Sequence, residues 1–423
     1  MQARETRDAL NRGRGSERKR IASQVPPDGA PEYLYVEDVL TTRSADLPAV
    51  EAGLQDPDDQ ALADLLGATS WTPVDNAPIP GVATVTFDGP VDVTEVCRVF
   101  DGRIRLGAVM PMGVVHITPT GYCPDSEPVV VPSQPDQSPA PVDVSPDFGE
   151  DVSVVVIDTG RRTDVEQAHT WLSSPAITGD PEQNGIEHYT GHGTFVCGVL
   201  RSMAPKVAID VNGVLYALGA ADEEDMAQEL YEAVFQDRPD IISMSAGTTS
   251  RDDLPPITLS VICEQLADQG VLLVAAAGND GNTEAFYPAF FSVEDPRIGR
   301  AANPNVVSVG ALTKDGKRAD YSNHDWPVIY AQGSEVVNAY PNWTYRYVYP
   351  PMKGKPDAVF SNGLASWNGT SFSTPLVSGL IAAHMTVRGE TDARTAWEHL
   401  LASATPVPSA GPSLKPGSQM ANP

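Results

Sequence analysis

Four short β-rich runs, Val152–Ile157, Ile241–Ser245, Val271–Ala275 and Val306–Gly310, constrain this chain most. They are largely apolar without polar alternation, as strands covered on both faces are, and helix-like stretches separate them. That order predicts an α/β unit built on a parallel sheet. Asp222 stands where it can cap a helix in which Met226, Leu230, Ala233 and Val234 recur at helical spacing. Gly270 stops the next helix just before the run at Val271. No apolar stretch approaches the ~20 residues that a bilayer crossing needs.

The remainder of the 423 residues divides by composition. Residues 1–30 carry Arg4, Arg7, Arg12, Arg14, Arg18, Lys19 and Arg20 and read as a basic disordered tail. Residues 31–122 read as a small α+β module. Its parts are alternation in Val82–Phe87, a helix-like stretch from Val91 to Phe100, and strand-like runs at Arg103–Met110 and Val114–Thr118. Residues 123–149 hold seven prolines and five acidic residues without Lys or Arg, the composition of an extended solvated linker. The α/β unit is expected over 150–403, and the Pro-, Ser- and Gly-rich residues 404–423 as a disordered tail.

Charge and cysteine content narrow the function classes. Lys and Arg total 28 against 56 Asp and Glu, a net charge of −28. That field repels phosphate backbones and anionic lipid, so neither nucleic acid nor a membrane is expected as a partner. Cys97, Cys123, Cys197 and Cys263 stand at unrelated spacings with no CxxC pair, which suits reduced buried thiols. With no apolar run behind the basic start, a cytoplasmic location is expected. The excess of Arg over Lys, 21 to 7, with abundant Ala and Pro, points to a GC-rich bacterial source.

The chemistry lies in three strings, Val155-Val156-Ile157-Asp158-Thr159-Gly160, Gly191-His192-Gly193-Thr194 and Gly369-Thr370-Ser371-Phe372-Ser373-Thr374-Pro375. Singly, each has an ordinary structural reading as a strand end, a turn histidine or a helix cap. Together they supply an acid to orient an imidazole, an imidazole to act as base, and a hydroxyl that needs that base to attack a carbonyl. Asp158 falls at the C-terminal end of a buried strand, where functional groups of α/β sheets gather. Ser371 precedes an apolar helix that tolerates Pro375 in its first turn, so the nucleophile meets the free N–H groups and positive dipole end of that helix. A fourth string, Ala275-Ala276-Ala277-Gly278-Asn279, ends in a side-chain amide able to hold an oxyanion.

In this order the four strings resemble the subtilisin-like serine proteases, or subtilases, over about residues 150–403. The resemblance implies the subtilisin-like three-layer α/β fold with a mostly parallel central sheet. It makes Asp158 the triad acid, His192 the base, Ser371 the nucleophile and Asn279 the oxyanion donor. Ser243, Met244 and Ser245 resemble a substrate-pairing strand, and Ala276, Ala277 and Gly278 fall on the substrate side with Asp222 and Asp280. No cofactor is required for this chemistry. Structural calcium, common in the family, is compatible with the acid excess, but no string has a calcium-loop spacing, and metal is left open.

The expected function is therefore a serine endopeptidase that processes a protein or peptide partner through an acyl-enzyme. A catalytically silent binding scaffold and a broad degradative protease are the alternatives. Residues 31–122 sit where family members carry an inhibitory prodomain, which implies intramolecular inhibition; a permanent docking module is the rival reading. Asp222, Glu223, Glu224, Asp225 and Asp280 suggest a preference for basic residues near the scissile bond. Phe195 departs from the family pattern beside the histidine. Residues 342–367, with Trp343, Tyr345, Tyr347 and Tyr349 at period two, read as an inserted β-hairpin just before the nucleophile.

Overall fold

The computed structural model describes residues 7–8, 10–12, 18–24, 33–117, 127–131, 144–183, 187–216, 219–347 and 353–420. The N-terminal module is an antiparallel sheet of β1 (Ile21–Gln24), β2 (Tyr33–Arg43), β3 (Trp71–Asp75), β4 (Val82–Phe87) and β5 (Val109–His116). Helices α1 (Leu47–Leu54), α2 (Gln60–Leu66) and α3 (Val93–Asp101) close a core of Leu40, Val50, Phe87, Val96 and Phe100. Asp92 caps α3 by accepting from the Thr94 and Glu95 N–H groups. The two runs expected at 103–110 and 114–118 merge into the single strand β5, because the chain turns at Gly107 (φ 70°) and passes through Gly113 without breaking.

The second unit holds the expected parallel sheet. Its strands are β7 (Ser153–Ile157), β8 (Thr178–Gly179), β9 (Ala208–Asn212), β11 (Ile241–Met244), β12 (Leu272–Ala276), β13 (Val306–Leu312) and β14 (Ile329–Gln332), in the spatial order β14-β13-β12-β11-β7-β9-β8. Every residue of β11, β12 and β13 is buried, which accounts for their unalternating sequences. Beyond the short α4 (Thr163–Ala168), helices α5 (His192–Met203) and α8 (Thr370–Arg388) pack on each other, and α8 crosses β11 to β14. Helices α6 (Glu223–Glu232) and α7 (Ile257–Gln269) pair with each other and pack against β5 and β2 of the N-terminal sheet, and Gly270 terminates α7 with φ 71°. No described helix is long and apolar enough to cross a membrane.

Three segments expected to be disordered or solvated are in part structured. In the basic tail, β1 pairs with β2 and Leu10 is buried. In the linker, β6 (Val129–Val130) pairs antiparallel with β18 (Leu364–Trp367), whose other edge takes β15 (Val336–Ala339). In the C-terminal tail, β19 (Thr405–Val407) pairs with β20 (Gly411–Ser413), which joins β14, while Leu414 is buried and α9 (Ala393–Ala402) precedes them. Each segment is poor in core residues but meets an open strand edge, and main-chain pairing needs no particular side chain. The expected inserted hairpin is present as β16 (Thr344–Tyr345) against β17 (Ala358–Val359); Tyr349 lies outside the described residues, as does Cys123.

Candidate functional site

Asp158 follows the last residue of β7 and His192 is the first of α5, and the two meet because the helix start lies against the strand end. The approach is so close that a Cβ on Gly193 would fall 2.3 Å from the Gly160 carbonyl, so only glycine fits there. The His192 Nδ1 and Asp158 Oδ1 atoms are 2.8 Å apart and both side chains are buried. The Thr159 N–H donates to the same oxygen at 2.7 Å, and the Thr159 hydroxyl accepts from the Gly193 N–H at 3.0 Å. With Nδ1 directed at a carboxylate, the other ring nitrogen, Nε2, is left as the basic one.

Ser371 occupies the second position of α8, with an N–H that has no intrahelical acceptor. Its hydroxyl donates to the Ser245 carbonyl at 3.4 Å, and the Ser245 hydroxyl donates back to the Ser371 carbonyl at 2.8 Å. The long bond leaves the nucleophile to tighten onto a base only when substrate is bound. Asn279 Oδ1 accepts from both the Thr370 N–H (2.8 Å) and the Thr370 hydroxyl (2.9 Å). Two donors on one atom fix the amide orientation and leave Nδ2 as the outward donor beside the helix start.

An aromatic cage surrounds the imidazole. Trp367, Phe372 and Tyr189 lie 5.3, 5.5 and 6.0 Å from the His192 ring, centre to centre. Phe195, the departure beside the histidine, is fully buried and packs 4.7 Å from Phe372 and 5.7 Å from Trp367, so it faces the core rather than the cleft. Cys197, on the same helix, is a buried free thiol whose pKa is pushed up by burial and by Asp158. Ordinary core packing of small hydrophobic type is its role.

The expected substrate-side residues divide. Ser243 and Met244 lie inside β11, paired on one side with β7 and on the other with β12, and Ser243 Oγ bonds Ser378 Oγ at 3.0 Å. They have no main-chain edge left to offer, which corrects the expectation that they pair with substrate. The free edge begins beyond them. Gly247, which the sequence did not single out, exchanges both main-chain hydrogen bonds with His116, at 2.9 and 3.0 Å. Ala276 and Ala277 are buried, Gly278 takes φ 101°, and the Asp280 N–H donates to Asn323 Oδ1 at 3.0 Å.

The chain's own β5 fills the gap between that edge and β10 (Ala220–Asp222). It pairs antiparallel with β10 in the register Ala220–His116, Ala221–Val115 and Asp222–Val114, and the Ile117 N–H reaches the Gly219 carbonyl at 2.9 Å. His116 is buried against Phe286, and burial pushes its pKa down to about 4. Glu223 does not face the cleft, contrary to the expected acidic rim. It is fully buried, its Oε2 accepts from the Gly113 N–H at 2.6 Å, its Oε1 takes the Thr258 hydroxyl, and burial raises its pKa to about 7. Asp222 and Asp225 hold the guanidinium of Arg18, from the basic tail, at 3.2 and 2.5 Å.

The linker is held as well, against β18 and the insert. The Tyr345 hydroxyl donates to the buried Glu127 carboxylate and the Tyr347 hydroxyl to the Pro128 carbonyl, both at 3.3 Å. Asn362 Nδ2 donates to the Val131 carbonyl at 2.9 Å. Tyr345 and Tyr347 of the insert thus bind chain rather than line an open pocket.

The model of the Subtilase family matches residues 149–418, past the expected boundary at 403. The M-protease of Shouchella clausii (strain KSM-K16) is 29% identical over 245 residues, covering 55% of this chain and 54% of that protein. This chain thus spans about half the length of that relative. The intracellular serine protease of Paenibacillus polymyxa is 28% identical over 293 residues, covering 63% of this chain and 77% of that protein. The solved structure of a lanthipeptide protease shares the fold, with a TM-score of 0.51 at 22% identity over 65% of this chain and 88% of that one.

Proposed function

This chain belongs to the subtilase family, and from that premise we propose that it is a serine endopeptidase processing a protein or peptide substrate. The observation that carries the proposal is the buried 2.8 Å bond between His192 Nδ1 and Asp158, with Ser371 at the start of α8. His192 Nε2 takes the proton of Ser371 Oγ as the oxygen bonds to the scissile carbonyl carbon. The amine then leaves with that proton, and water, deprotonated by the same nitrogen, hydrolyses the acyl-enzyme. Asp158 holds the ring and stabilises the imidazolium, while the Ser371 N–H and Asn279 Nδ2 receive the oxyanion. None of these steps draws on a cofactor.

A fluorophosphonate probe tests the proposal, with an adduct on Ser371 as the expected result and a folded but unlabelled protein, freed of residues 1–117, as the contrary one. Asn279→Ala is expected to lower kcat by about 10²–10³, the loss known for the corresponding donor in a subtilisin, with KM little changed. Steady-state kinetics on a peptide anilide reads it out.

We further propose that residues 31–117 inhibit the enzyme intramolecularly by holding β5 where a substrate strand binds. Pairing with β10 and Gly247 supports this, as does the main-chain pairing of Val129–Val130 with Ala365–Ser366. Self-cleavage is accordingly expected within residues 118–126, ahead of the held linker segment. Mass spectrometry should find that cut in the wild type and not in Ser371→Ala; a chain that stays intact yet hydrolyses peptides would instead make the module a permanent docking unit. The Arg18 contact with Asp222 and Asp225 supports a preference for basic residues at the cleft edge. Free, buried Cys97, Cys197 and Cys263 support a reducing, cytoplasmic setting.

A further inference from the structure

The far end of α8 carries a cluster that the proposed peptidase chemistry does not use. His384 is buried on the last turns of that helix, His399 faces it from α9, and Glu390 stands between them on the connecting turn. The turn is set by Gly389, whose φ of 64° ends α8 and lets the Glu390 N–H bond the Met385 carbonyl at 2.9 Å. His399 Nδ1 lies 2.6 Å from Glu390 Oε1, and His384 Nε2 lies 4.0 Å from Glu390 Oε2. Glu390 Oε2 is buried and has no hydrogen-bond partner among the described residues. The Arg388 side chain, on the same turn, is directed to the Met420 carbonyl.

We propose that His384, Glu390 and His399 form a structural site for a divalent transition-metal ion of the zinc class, tying the end of α8 to α9. One ligand atom from each residue lies within 4.8 Å of the others, so a point about 2.8 Å from all three exists. Side-chain shifts of under about 1 Å then reach the 2.0–2.2 Å of zinc–nitrogen and zinc–oxygen bonds. Two imidazoles and a carboxylate suit zinc, whereas calcium takes six to eight oxygens. His399 is 37% exposed, which leaves room for water as the fourth ligand. His384 is thirteen residues along α8 from Ser371, roughly 20 Å at 1.5 Å per residue, so the ion is remote from the proposed reaction centre.

The test uses the full chain as Ser371→Ala, stripped with a chelator and titrated calorimetrically with zinc chloride, then with cobalt(II) to read the visible bands of tetrahedral coordination. One zinc per chain and a melting temperature raised by several degrees at about 100-fold excess over Kd are expected. His399→Ala and Glu390→Gln, which alter less buried positions than His384, should each weaken binding beyond the roughly 10–100-fold that loss of an outer-shell partner costs. His324→Ala, remote from the cluster, should leave binding unchanged and so excludes adventitious histidine binding. Absence of stoichiometric zinc in the folded parent, or unchanged affinity in both cluster variants, overturns the proposal.

Discussion

Ser371→Ala is expected to lose about 10⁶-fold in kcat on a peptide substrate, the size such a removal has in a subtilisin, while its fold stays intact. The substitution deletes one oxygen whose acceptor among the described residues, the Ser245 carbonyl, is 3.4 Å away, so little stabilising energy goes with it. The backbone N–H of residue 371 and Asn279 remain, leaving the oxyanion site as built. His192→Ala should lose about as much, and the double variant no more than either, because a base without a nucleophile does nothing. Both are measured by hydrolysis of a peptide anilide alongside circular dichroism. Wild-type turnover in Ser371→Ala would assign the chemistry to another nucleophile; additive losses in the double variant would mean that the two residues do not act as one unit.

What the sequence made legible was local. Asp158, His192, Asn279 and Ser371 sit in strings whose glycines and flanking apolar residues describe a strand end or a helix start, so their placement follows from a few neighbouring residues. Asn279 is the clearest case, since its partner Thr370 lies inside another of the strings. The pairings that fill the cleft are of another kind. Val114–His116 meet Ala220–Asp222, and Val129–Val130 meet Ala365–Ser366, through main-chain atoms that every residue shares. Such contacts leave no mark in side-chain pattern, and for the same reason β1, β6 and β20 lie in segments whose composition reads as disordered. Ser243 and Met244 illustrate the converse error. Their string resembles a substrate-pairing strand, but neighbours on both sides occupy their main-chain groups, and the edge starts at Gly247.

One ion pair between the units gives the proposed inhibition its largest single test. Arg251 is almost fully buried, and Asp101 of the module receives it in a two-pronged contact, Nη1 to Oδ2 at 2.8 Å and Nη2 to Oδ1 at 3.2 Å. Removing one partner of a buried pair costs about 3–5 kcal/mol, because the remaining charge is left in low dielectric. Here the half-exposed Asp252 still contacts Nη1 at 2.8 Å, which places the cost of Asp101→Ala near the low end, about 3 kcal/mol. In the chain before cleavage that loss falls on docking, since Arg251 regains water when the module lifts away. Peptide turnover by the uncut protein should then rise about 100-fold, at about 1.4 kcal/mol per factor of ten. Hydrogen exchange in Val109–His116 of Ser371→Ala should quicken in parallel. Pairing Asp101→Leu with Arg251→Met replaces the ions by apolar groups of similar size and should restore most of the inhibition, since that exchange is often neutral or stabilising. If Asp101→Ala changes neither turnover nor exchange, the module's hold on the cleft lies in its other contacts, the β5 pairings among them, and the ion pair contributes nothing to it.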